Sequence, residues 1–81
     1  MKQTKDKIAR YTDDDFIIEI VESESEFEAW IGHSDYGFLM QMFGCPKKQS
    51  DFTISNEMFR DMVVSDLNRY KAICRKKYME S

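Results

Sequence analysis

The side chains that could do chemistry in this chain are few. His33 is the only histidine, which excludes a multi-histidine metal site, and Asp35 and Cys45 are weak company for a metal ion. Cys45 or Cys74 could pair with His33 as a thiol nucleophile and its base. That pair lacks a group to orient the imidazole and a helix N-terminus behind either sulfur, and Cys74 reads more simply as a core residue. His33 therefore reads as a turn histidine. Glu26 and Glu28 could be drawn as an acid–base pair, but alternating carboxylates usually mark a solvated strand face. Asp66 falls inside the apolar arc of a helix, where Arg69 or a hydroxyl is the expected partner and His33 the alternative. No Gly-rich phosphate loop, Walker motif or zinc spacing occurs. The expectation is a non-enzyme with no catalytic, cofactor or metal site.

Charge is the stronger signal. Residues 1–10 carry a net +3, residues 11–46 a net -9 without a single Lys or Arg, and residues 47–81 a net +3. One reading is mutual neutralisation inside a small fold. The other is an acidic face aimed at a basic partner, with free nucleic acid disfavoured because its phosphates would be repelled. No apolar run approaches the roughly 18 residues that span a bilayer, and the opening MKQTKDKIARY lacks an apolar core for a secretory signal. A cytoplasmic protein with two free thiols is expected.

The elements follow from periodicity. Eighty-one residues with 42% hydrophobic content are read as one small α+β domain with a thin core. Residues 1–12 read as an arm or short helix, docked by Ile8 and Tyr11, and residues 12–15 as a charged loop. Residues 16–43 read as a three-stranded antiparallel meander: 16–21, 26–32 and 38–43, with turns at 22–25 and 33–37. Gly37 suits a left-handed turn position. Residues 55–79 read as one long amphipathic helix packed on one face of the sheet. Ser55 is its cap, Ile54 and Phe59 its hydrophobic staple, and Arg75, Lys76 and Lys77 suit its carbonyl end. Its expected stripe is Phe59, Met62, Val63, Leu67, Tyr70, Ile73, Cys74 and Tyr78.

Period-2 alternation sorts the strand faces. Phe16, Ile18, Ile20, Phe27, Ala29, Ile31, Phe38, Met40 and Met42 should face the helix. Ile17, Glu19, Val21, Glu26, Glu28, Trp30, Leu39, Gln41 and Phe43 should face away. One helix cannot cover both sides of a sheet. The outer side is then covered by the N-terminal arm through Ile8 and Tyr11, or the strand register is shifted, or it is an interaction surface. As an interaction surface, Trp30, Phe43 and Leu39 are the anchors, and Glu19, Glu26 and Glu28 are the polar rim that binds a partner.

The stretch FEAWIGHSDYGFLMQMFGCPKKQ (27–49), followed by ISNEMFRDMV, resembles small uncharacterised proteins of gut Firmicutes, their phages and mobile elements. The shared features are a Trp-bearing strand, a Tyr-Gly turn and a Met-Phe-Gly strand end. The resemblance covers about half the chain and assigns no functional residue. It implies a source rich in compact, acidic, non-enzymatic inhibitors such as anti-CRISPR proteins. The expected function is stoichiometric protein binding, as an acidic inhibitor occupying a basic, nucleic-acid-handling surface of its partner. A homo-oligomeric adaptor binding a second copy and a small thiol enzyme are the alternatives. No cofactor, direct nucleic-acid contact or membrane contact is expected.

Overall fold

In a computed structural model, the chain is described over residues 6–79. Four antiparallel strands run β1 (Asp6–Asp13), β2 (Phe16–Glu22), β3 (Glu26–His33) and β4 (Gly37–Pro46), in spatial order β1-β2-β3-β4. Helix α1 (Asn56–Cys74) follows and continues as one π-helical turn, Arg75–Met79. The class is α+β, with one more strand than the periodicity predicts. The expected arm or short helix is instead an edge strand over residues 6–13. The expectation for residues 1–5 lies outside the described residues. The Asp run that read as a leading loop is the β1–β2 hairpin turn. Asp14 and Asp15 both have positive φ (56° and 68°), the signature of a two-residue turn that matches strand twist. Asp tolerates that region better than most residues.

The helix begins where its cap chemistry places it. Ser55 Oγ accepts from the Met58 N–H at 3.2 Å, and Ile54 and Phe59 are both buried beside that first turn. Its buried row is Phe59, Val63, Leu67, Lys71 and Cys74, almost pure four-residue spacing, which is a narrower stripe than expected. Met62 and Tyr78, placed in the stripe by the sequence, are exposed. Against this row lie Phe16, Ile18, Ile20, Phe27, Ala29 and Ile31 of β2 and β3. The Phe27 and Phe59 rings stack at 5.0 Å.

Strand β4 departs from simple alternation. Its pairing runs Ala29↔Phe43, then Trp30↔Gln41, then Ile31↔Met40, then Gly32↔Phe38. Met42 and Leu39 are thus the extra residues of two β-bulges, and each bulge shifts the alternation by one. Phe43, expected outside, lies on the helix side, 5.3 Å from the Phe59 ring and 6.3 Å from that of Tyr70. Phe38, expected inside, pairs with Gly32 on the outer side and is 53% exposed. Gly32 permits that crossing: a Cβ there would meet the Gly37 carbonyl oxygen at 2.7 Å and the Phe38 Cα at 2.9 Å. Gly37 turns the chain at φ 76°.

Candidate functional site

The sheet face turned away from α1 holds most of the residues expected to bind a partner, but not all of them. Trp30, Glu19 and Glu28 lie there, with Val21 beside them and Phe38 in the place expected of Phe43. These five line a shallow groove of ≈ 420 Å³. Phe43 packs against the aromatic core, and Leu39 is a half-buried bulge residue packed against the core cluster. Neither is an outer-face anchor, because the bulges turned the register beneath them.

The carboxylates also differ from the expected rim. Glu19 and Glu28 are 9% and 8% exposed, so they form the floor of the groove. A carboxylate that deep needs partners. Lys7 Nζ and Arg10 Nη1 of β1 reach Glu19 Oε2 at 3.1 and 3.5 Å. The Trp30 Nε1–H donates to Glu28 Oε1 at 3.1 Å, which fixes the indole along the groove. Glu26 alone of the three glutamates is exposed. The edge strand therefore supplies cations to this face rather than an apolar cover.

Much of the segregated charge is satisfied internally. Glu22 pairs with Lys47 at 2.6 Å. At the opposite end of the sheet, Lys71 is buried at 6% exposure and bridges Asp13 at 3.1 Å and Asp14 at 3.4 Å, with Arg75 3.7 Å from Asp14. Hydrogen bonding to Asp13, and then to Asp14, raises the Lys71 ammonium above its ordinary value against the opposing effect of burial. Sequence reasoning missed Lys71. The signal was the unbroken spacing 59, 63, 67, 71, set against an Asp run with no neighbouring cation. Among the described residues, Asp15, Glu24, Glu26 and Asp35 of the acidic middle segment form no ion pair.

The His33 ring packs edge-on to Phe16 (5.2 Å) and Tyr36 (5.3 Å), while its Nδ1 accepts from the Asp35 N–H at 3.0 Å. Cys45 pairs with Phe27 at the far end of β3 from His33, so these two do not meet. Burial raises both thiols, aided by Glu26 at Cys45 and opposed by Lys77 at Cys74, the reverse of what a nucleophile needs. Asp66 pairs with Arg69 at 3.3 Å, as its spacing implied. Among the described residues no group of three or more metal-ligating side chains assembles, and no helix is long and apolar enough to cross a membrane. Comparison with protein-family models, curated proteins and solved structures returned no match for this chain.

Proposed function

We propose that this chain is a non-enzymatic protein-binding module that docks through the sheet face opposite α1. The observation that carries this reading is the groove that runs from Val21 past Trp30 to the exposed Phe38, with two carboxylates in its floor. Aromatic side chains that are rigid, partly desolvated and clustered are the usual energetic centre of an interface. The partner best suited to it is a protein offering an apolar side chain flanked by basic groups. Apolar area and ring faces then supply affinity, and Glu26, with Glu24 near it in sequence, attracts the basic flank.

The specific form of this reading is an acidic inhibitor of a phage or mobile element, anti-CRISPR-like, covering a basic nucleic-acid-handling surface on its target. The exposed, unpaired carboxylates favour that form over direct binding of nucleic acid. The test is capture of a partner on the immobilised chain. Raised salt should weaken capture through the acidic groups, and Trp30→Ala should release the partner at any salt. Undiminished retention by Trp30→Ala would contradict the assignment of this face.

A further inference from the structure

We propose that β4 is a pairing edge for a second copy of this chain, joining two sheets antiparallel, β4 to β4, across a two-fold axis. The edge shares Phe38 with the Trp30 groove, but the proposal does not rest on the function assigned to that groove.

The two edges of the sheet are built differently. Strand β1 carries Asp6, Lys7, Arg10 and Asp13 within eight residues, and charge on an edge strand discourages pairing with another chain. Strand β4 is ten residues long, GFLMQMFGCP, with no charged side chain. Among the described residues it pairs only with β3, so its second edge presents backbone groups without a sheet neighbour. Apolar side chains flank that edge on both sides, beside two aspartates on the helix side. Exposed Phe38 lies on the outer face. On the helix side, Phe43 and Met62, the latter 39% exposed, line a groove of ≈ 360 Å³ with Asp61, Ser65 and Asp66.

The ends of the strand select the occupant and its direction. Asp35 precedes β4 and Lys48 follows it; both are exposed, and neither has an ion pair among the described residues. Antiparallel self-pairing carries the Asp35 end of each copy to the Lys48 end of the other, twice by symmetry. Parallel pairing would oppose like charges. The two bulges and Pro46 confine pairing to part of the edge and strengthen local twist, which disfavours flat, open-ended stacking of many chains. A single two-fold pair is isologous and closes on itself.

Sedimentation equilibrium on the full chain tests this, with variants at the exposed strand ends that leave the core untouched. The wild type should form a dimer that dissociates on dilution. Asp35→Lys and Lys48→Asp should each raise the dimer Kd about five-fold at low salt, and the double reversal should restore it, since only opposed ends make the changes compensate. Hydrogen exchange should show the β4 amides becoming protected as concentration rises, with β1 unchanged. A monomer at every concentration would overturn the proposal, even if β4 captured an extended strand of another protein. So would a dimer indifferent to the charge reversals, or one lost only with Trp30→Ala.

Discussion

The two faces of this sheet are built from similar residue types yet settle into opposite states. On the inner face, Phe16, Ile18, Ile20, Phe27, Ala29 and Ile31 meet the row Phe59, Val63, Leu67 and Cys74 and are sealed. On the outer face, among the described residues, Ile17, Val21, Trp30 and Phe38 have no helix over them, and two of the spaces between them are filled by Glu19 and Glu28. The inner face closes because a four-residue helical spacing matches it. The outer face stays open because its apolar side chains are interrupted by carboxylates that draw Lys7, Arg10 and the indole N–H. Apolar content alone does not decide which face becomes core. Placement of the charged groups does.

That contrast can be broken or sharpened by substitution. The largest effect is expected at Phe59, fully buried between Phe27 and Phe43. Phe59→Ala should cost about 3–5 kcal/mol in denaturant unfolding, much of a small domain's stability. Trp30→Ala, larger in volume but on the open face, should cost less than half as much; equal costs would mean that both faces are core. Next is Gly32→Ala, whose Cβ would press on the backbone of Gly37 and Phe38. It should cost about 1–3 kcal/mol and move Phe38, read as a shift in its ring resonances. A smaller gain is expected from Asp15→Gly. Relief of a positive φ in the first hairpin should raise stability by about 0.5–1 kcal/mol, with the Lys71 bridges retained.

Alkaline titration separates the faces by another route. Burial raises Cys45, Cys74 and Tyr11, and hydrogen bonds raise Lys71. A folded-state value above the unfolded one means that the native state holds its proton longer. Stability should therefore be independent of pH through these groups near neutrality, begin to fall above about pH 8.5 as the unfolded thiols ionise, and fall faster above about pH 10 as Tyr11 and Lys71 join. Cys74→Ser should remove part of the first phase and leave the second. Urea melts across this range give the comparison.

The helix was legible because its signals are local and redundant: Ser55, Ile54, Phe59 and the row that follows all agree. Strand β2 was legible from its β-branched run and β3 from its alternation. The misses in β1 and β4 share one cause. Bulges at Leu39 and Met42 reset the alternation of β4, and the pairing of β1 skips Ile8 between Lys7 and Ala9, so DKIARYTD shows no clean period. A bulge is fixed by what the strand packs against, and period-2 reading has no access to that. Lys71 escaped because a lysine is ordinarily placed outside, and only the hairpin turn brings Asp13 and Asp14 to it. The charge balance pointed to internal neutralisation or to a partner, and ion pairs absorb Asp13, Asp14, Glu19 and Glu22. For the proposed docking face, Trp30 was visible in the sequence, whereas Phe38 required the bulge.

Trp30 is the sole tryptophan, so one fluorescence measurement addresses the open face directly. In a dilute sample verified as monomeric, a small neutral quencher such as acrylamide should reach the indole, and raising the concentration of a docked protein partner should shield it. The account predicts quenching in the monomer that falls on complex formation. An indole already shielded in the monomer would contradict it, because the outer face would then be closed within the chain itself.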